Sequence, residues 1–222
     1  MMASQALLNV QSLSKFYRKR CVVDKVSLRV DRGEVVGLFG RYGAGKTTLL
    51  QMLIGTIKPF EGTIEASGEP MATLPAYKRA RKGMAFVQHE GSVFRGLTVE
   101  ENLLAVNPKC PARRLLADFD LTPLARRKAG TLKGGEWRRL ELCRAMVGAP
   151  SLLLLDEPFS GVDPREVGVL QGLIRGMPLR GVSVLFSDHN LRESLPLCDR
   201  AYILHEGRIL KEGTPPEIER PR

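Results

Sequence analysis

Gly40-Arg41-Tyr42-Gly43-Ala44-Gly45-Lys46-Thr47 is the stretch whose reading decides the fold. Its glycines let a short loop bring backbone N–H groups close to an anion. Lys46 follows where an ammonium reaches outer phosphate oxygens, and Thr47 where a hydroxyl reaches Mg²⁺. Residues 35–39 before it form an apolar run that predicts a buried strand. Residues 46–54 after it predict a helix, stopped by Gly55 and a turn at 59–62. That helix would offer the loop its positive end, roughly half a charge. Strand, glycine loop and helix in this order are the context a phosphate cradle requires.

A second apolar run, Leu152-Leu153-Leu154-Leu155, ends in Asp156-Glu157. Two acids at a strand end can place one carboxylate near a phosphate-bound Mg²⁺ and the other near an attacking water. Together the two motifs point to a nucleoside triphosphate and its hydrolysis. Further strands are expected over 7–10, 26–30, 63–66, 84–87, 182–186 and 201–204, and helices over 135–147 and 165–174. Buried strands alternating with helices imply an α/β fold with a mostly parallel sheet covered on both faces. Between 88 and 134 the pattern changes to helical stretches (99–105, 113–119) broken by Pro108, Pro111 and Pro123, which reads as an inserted helical lobe. The expected organisation is one domain, 1–222, with a nucleotide-binding core at 1–87 and 135–222 and a helical subdomain with its signature loop at about 88–134.

The 222 residues, 43% hydrophobic and 26% charged, are those of an ordinary globular protein. No apolar run reaches the ~18–20 residues of a membrane span. The nearest, 145–155, is interrupted by Pro150. No apolar core precedes the first basic cluster, so a secretory signal is not expected and a cytoplasmic location is. Four scattered cysteines without a CxxC pair read as reduced, packed thiols, and His89, His189 and His205 lack metal-ligand spacing. The net charge of +10 suits an anionic lipid surface. No recognition-helix, RRM-like or zinc-finger pattern accompanies it, and no nucleic-acid partner is expected.

With these elements in place the chain resembles, over nearly its full length, the ATPase subunit of ABC transporters. The matching elements are residues 40–48, Gln88, Leu132-Lys133-Gly134-Gly135-Glu136, residues 152–157, Ser160-Gly161-Val162-Asp163 and Asp188-His189. The resemblance implies a P-loop NTPase core with an N-terminal antiparallel β region and an inserted helical subdomain. It also implies ATP and Mg²⁺ as ligands. Gly40, Gly43, Ala44, Gly45, Lys46, Thr47 and Thr48 would cradle phosphate, and Tyr17 would stack on adenine. Thr47, Gln88 and Asp156 would face Mg²⁺. Glu157 would polarise the water, with Gln88 and His189 as its catalytic companions. Lys133, Gly134, Gly135, Glu136 and Asp163 would face the nucleotide of a second copy, in a homodimer closing head-to-tail beneath transmembrane subunits.

Two departures from the family pattern stand out. Arg41-Tyr42 replaces the usual Pro-Asn-like pair, and Lys133 stands where serine is usual. Within the family the chain is most similar to ATPases that power lipopolysaccharide export. The phrases that carry this run from Gln88 to Val99, 157–164 and 187–195. The expectation is an ATPase peripheral on the cytoplasmic face of the inner membrane, driving export of lipopolysaccharide or a related lipid. The alternatives are the ATPase of a branched-chain amino-acid-type importer and a regulatory module with weak hydrolysis, the latter motivated by Lys133.

Overall fold

A computed structural model describes residues 6–220. The first five residues, on which the expectation about a secretory signal falls in part, and the last two lie outside the described residues. The chain opens with a long antiparallel pair, β1 (Ala6–Tyr17) and β2 (Arg20–Asp31), with Leu8 opposite Val30 and Val10 opposite Leu28. Alternation in β2 is strict at its end: Val26, Leu28 and Val30 are buried, and Lys25, Ser27 and Arg29 are exposed. A period of two puts one apolar face on the core. The chain continues through β3 (Val35–Phe39), α1 (Lys46–Ile54), β4 (Glu61–Ala66), β5 (Glu69–Pro70), α2 (Ala76–Arg81) and β6 (Met84–Val87). The inserted lobe carries α3 (Val99–Leu104) and α4 (Ala112–Asp118). The core resumes with α5 (Gly134–Met146), β7 (Leu152–Asp156), α6 (Pro164–Arg175), β8 (Ser183–Asp188), α7 (Leu191–Ser194), β9 (Arg200–His205), β10 (Arg208–Gly213) and α8 (Pro215–Glu219).

Two sheets result, ordered β2-β1-β4-β5 and β10-β9-β3-β8-β7-β6. The first is antiparallel throughout. In the second, β9, β3, β8, β7 and β6 run parallel and β10 closes the edge antiparallel. Every residue of β3, β7 and β8 is buried, because helices and the first sheet cover both faces. One apolar cluster fills the space between the sheets and around α1, and the other joins the parallel sheet to the lobe, α5 and α6. Cys143 and Cys198 are free thiols inside the second cluster, and burial pushes the Cys143 thiol up to about 12 and that of Cys198 up as well.

The architecture is the α/β arrangement expected, with refinements at the edges. The first half of β2 and all of β10 are strands that the apolar pattern does not announce. β10 alternates only between exposed and half-buried positions, as a charged edge strand does. The lobe helix α3 is set by a reciprocal cap. The Glu101 N–H donates to Thr98 Oγ1 (3.1 Å) and the Thr98 N–H donates to Glu101 Oε2 (2.6 Å). Asn102, fully buried, holds the segment in front of it by accepting from the Phe94 N–H (2.9 Å) and donating to the Phe94 carbonyl (3.0 Å). Among the described residues no helix is long and apolar enough to cross a membrane.

The consequence for function lies at the carboxyl ends of the parallel strands. β3 runs into the glycine loop, β6 into Gln88-His89, β7 into Glu157 and β8 into His189. Four strands of one direction deliver all of these to the same edge, where ligands of open α/β sheets sit.

Candidate nucleotide site

The glycine loop fits only because two of its positions have no side chain. A Cβ on Gly40 would lie 2.3 Å from the Leu204 carbonyl oxygen. Gly45 has φ +107°, and a Cβ there would lie 2.6 Å from the Val22 carbonyl oxygen. The loop therefore packs backbone against backbone and ends in α1 with no side-chain cap and no acidic residue in the first turn. Bare N–H groups at a helix start attract anions. Lys46, 5% exposed, turns back over the loop. Its Nζ donates to the carbonyls of Gly40 (2.7 Å) and Arg41 (3.3 Å) and stands 3.5 Å from Glu157 Oε1.

Asp156 and Glu157 are both buried, and Ser187 on the neighbouring strand organises them. Asp156 pairs with Ser187 in the β7–β8 register. The Ser187 hydroxyl donates to Asp156 Oδ1 (2.6 Å) and accepts from the Glu157 N–H (3.1 Å). Glu157 is held at φ +49°, a left-handed conformation that costs a non-glycine residue on the order of 1–3 kcal/mol. In this conformation its carboxylate faces one ammonium and two imidazoles. Besides Lys46, His189 Nδ1 lies 3.3 Å and His89 Nδ1 4.0 Å from Glu157 Oε2. Asp188 is buried beside them, accepting from the Asn190 N–H (2.9 Å) and from the Ser194 hydroxyl.

A cavity of about 360 Å³ gathers Tyr42, Thr47, Gln51, Gln88, His89, Asp156 and Glu157. Of the residues the sequence reading selects, it brings together Thr47, Gln88, Asp156 and Glu157. Gln88 lines it, but the side chain that reaches Glu157 from the lobe is its neighbour His89. The segment is anchored to α5, where Arg138 donates to the carbonyls of Gln88 (3.3 Å) and His89 (3.0 Å) and buried Glu141 accepts from the Ser92 N–H (3.0 Å). His89, Ser187 and Tyr42 are participants that residue-type reasoning passes over. The signal the sequence carries for them is position: each abuts a residue of a matching element. A larger cavity of about 710 Å³ adjoins, lined by Arg20, Arg41, Tyr42, Gly43, Ala44, His189, His205 and Glu206. Tyr17, at the end of β1, is half exposed with Lys15 Nζ 5.5 Å over its ring. Thr48 is half buried on α1.

The signature element lies elsewhere. Gly134 opens α5, and a separate cavity of about 370 Å³ groups it with His89, Leu132, Trp137, Ser160 and Gly161. Lys133 is exposed and gives α5 no side-chain cap. Gly135 donates its N–H to Glu166 Oε2 (2.9 Å), and Glu136 accepts from the Lys133 N–H (3.3 Å). Asp163 caps α6 by accepting from the Arg165 N–H (2.9 Å). Lys133, Gly134, Gly135 and Glu136 thus sit at the α5 start and Asp163 at the α6 start, and none of them lines the cavity that holds Thr47, Asp156 and Glu157.

Thr47 and Asp156 offer hard oxygen donors to one cavity, which suits a Mg²⁺ ion. Among the described residues no cluster of three or more His, Cys, Asp or Glu could hold a metal. A cation here would therefore draw most of its ligands from phosphate oxygens and water, as Mg²⁺ does in phosphoryl-transfer sites.

Comparison with known proteins agrees with this geometry. The sequence pattern of the family described as ABC transporter matches residues 23–160. The lipopolysaccharide export system ATP-binding protein LptB of Acidithiobacillus ferridurans is 46% identical over 221 residues, 96% of this chain and 92% of that protein. Its namesake from Escherichia coli K12 is 40% identical over 223 residues, again 96% and 92%. An uncharacterized ABC transporter ATP-binding protein of Rhizobium meliloti is 48% identical over 220 residues, 95% of this chain and 82% of that one. Among solved structures, the ADP conformation of an ATP-binding cassette superposes with a TM-score of 0.88 at 25% identity, covering 97% of this chain and 94% of the other.

Proposed function

The chain belongs to the ABC transporter family as an ATP-binding subunit, and from that premise we propose that it hydrolyses ATP to drive export of lipopolysaccharide or a related lipid. The observation that carries the hydrolytic reading is the cavity in which Thr47, Asp156 and Glu157 meet, with Lys46 and His189 on the Glu157 carboxylate. Support for the cargo comes from the relatives named for lipopolysaccharide export, matched over 92% of their length.

In the proposed reaction the N–H groups of loop residues 41–43 and 45 and of the α1 start bind the phosphate chain, while those of Gly40 and Ala44 hold the loop by donating to the Asp188 and Arg41 carbonyls. Lys46 exchanges its loop carbonyls for terminal phosphate oxygens. Glu157 orients a water in line with the terminal phosphorus and accepts its proton. The new P–O bond forms as the bond to the bridging oxygen breaks, leaving ADP and inorganic phosphate. His189 lies beside Glu157, placed to hold the terminal phosphate. Mg²⁺, held by Thr47 and Asp156 with Gln88 at hand, would supply charge neutralisation to the phosphate oxygens. Positioning and fixed charge account for most of the catalysis in such sites.

The separation of the signature element from Lys46 supports a site shared by two copies. Each chain would bring Lys133, Gly134, Gly135, Glu136 and Asp163 to the nucleotide held by the other, while Tyr17 stacks on adenine. A homodimer of this kind would sit on transmembrane subunits at the cytoplasmic face of the inner membrane. The test is to capture the tagged chain with its transmembrane subunits from native membranes and reconstitute the complex. Mg²⁺-dependent ATP hydrolysis coupled to lipopolysaccharide release is expected. Hydrolysis that ignores lipopolysaccharide but responds to an amino acid would overturn the cargo assignment.

A further inference from the structure

Tyr42 sits in the glycine loop at a position where the cradle itself requires nothing of a side chain, yet its ring is built into the site. The phenol oxygen is 3.1 Å from His189 Nε2, and the two rings stack with centroids 4.6 Å apart and planes tilted by 33°. Lys46 Nζ lies 5.7 Å from the centroid of the same phenol ring. The contact closes a gap of 147 residues in the sequence. The direction of the hydrogen bond follows from the other side of the imidazole. Nδ1 faces Glu157 Oε2 at 3.3 Å and Asp188 Oδ1 at 3.6 Å, and ionised carboxylates only accept. With the imidazole neutral, its proton sits on Nδ1 and the Tyr42 O–H donates to Nε2; with the ring protonated, Nε2 donates to the phenol oxygen, and the contact holds either way.

We propose that Tyr42 is a latch that occupies the place of the terminal phosphate until a triphosphate displaces it. This rests on the nucleotide-site reading above, in which Lys46 and His189 share one phosphate. A group that touches both of two residues meant for one ligand stands where that ligand must go. Tyr42 also lines both the 360 Å³ cavity holding Thr47, Asp156 and Glu157 and the 710 Å³ cavity holding Arg41, Gly43 and His189. It is the partition between them. Release is cheap in packing terms, since Tyr42 is 72% exposed and the adjoining Gly43 has no atom within 4 Å of where a Cβ would be. What release costs is one hydrogen bond, one ring stack and the Lys46 ammonium's contact with the ring face. A diphosphate leaves the latch shut, and a triphosphate must open it, so the residue sets how strongly the site prefers ATP over ADP.

Titration calorimetry with Mg²⁺ and either ADP or a non-hydrolysable ATP analogue tests this on the full chain. Tyr42→Ala is expected to tighten the triphosphate about 5- to 10-fold, the equivalent of one net hydrogen bond plus a weak stack, while ADP affinity stays put. Tyr42→Phe keeps the ring and is expected to give the smaller part of that gain, about 2- to 4-fold. An unchanged triphosphate-to-diphosphate ratio in both variants, or a weaker triphosphate, overturns the latch. Wild type that binds neither nucleotide would instead overturn the nucleotide-site reading, and the latch with it. A solubility or circular dichroism change is not expected at so exposed a position, and circular dichroism checks it.

Discussion

Two glycine-rich helix starts, those of α1 and α5, are built from similar parts and furnished in opposite ways. The α1 start has no acidic residue in its first turn, no side-chain cap and a buried lysine turned over the loop. The α5 start has Glu136 in its first turn, Arg127 3.6 Å from that carboxylate, and Glu166 of α6 accepting the Gly135 N–H at 2.9 Å. A Cβ on Gly135 would lie 2.8 Å from Glu166 Cβ, so the glycine is what lets α6 come this close. One helix end is left hungry for an anion, and the other is already satisfied by the chain's own carboxylates. The difference teaches that a single chain is equipped to take phosphate at α1, whereas α5 receives an anion only if something displaces Glu166. Closure against a second, nucleotide-loaded copy is the event the proposed function provides for that.

The contrast breaks first at Glu157. Glu157→Gln should lower kcat by about 10²–10⁴-fold, the usual worth of a positioned base, while ATP binding at α1 survives. Steady-state hydrolysis beside nucleotide titration checks it, and unchanged turnover would remove Glu157 from the mechanism. Next is Ser187→Ala. It strips a hydroxyl that donates to buried Asp156 and accepts from the Glu157 N–H, so stability should fall by about 1–3 kcal/mol and hydrolysis with it. Denaturant melts measure the first effect; a loss below ~0.5 kcal/mol would show that Ser187 organises nothing.

Glu166→Ala sharpens the comparison by making α5 resemble α1. Freeing the Gly135 N–H should cost the lone chain up to ~1 kcal/mol, because a carboxylate at a helix start is removed. In a Glu157→Gln background the ATP-driven dimer should tighten several-fold, roughly threefold or more per 0.7 kcal/mol. Sedimentation with and without ATP reads both species. A dimer weakened by the change would mean that Glu166 supports the interface instead of guarding it.

How much of this the sequence discloses follows from distance along the chain. The loop before α1 is legible because strand, glycines and helix are consecutive, and Asp156-Glu157 because four leucines precede them. The α5 start is legible as a motif but its occupant is not, since Glu166 lies 31 residues away on another helix. The Tyr42–His189 contact spans more still, and both positions read as independent until β3 and β8 lie side by side. His89 lies one residue beyond Gln88, which the family resemblance selects, and the Arg138 and Glu141 anchors that hold this segment sit 49 residues away on α5, out of reach of a local reading. Long-range pairing also hides β10, whose strand character comes from β9 and not from its own weak alternation.

Lys133 gives the smallest effect and the cleanest reading of the α5 start. Its backbone is extended and it stands in the capping position, where a side-chain oxygen could accept from the first turn but a lysine ammonium cannot. Its positive charge also faces the positive end of the helix. Lys133→Ser should therefore stabilise the lone chain by about 0.5–1 kcal/mol, which for a chain of this size raises Tm by about 1–4 °C. Added salt should shrink the difference, because part of it is charge at an exposed site. The effect on the ATP-driven dimer has the opposite origin to the stability effect. If Lys133 meets the partner's phosphate, the serine variant gains in the resting chain but loses a cation in the closed dimer, and its ATP-driven dimer should weaken by a few-fold while Tm rises. If both rise together, Lys133 contributes nothing attractive across the interface, and the usual serine is simply the better cap.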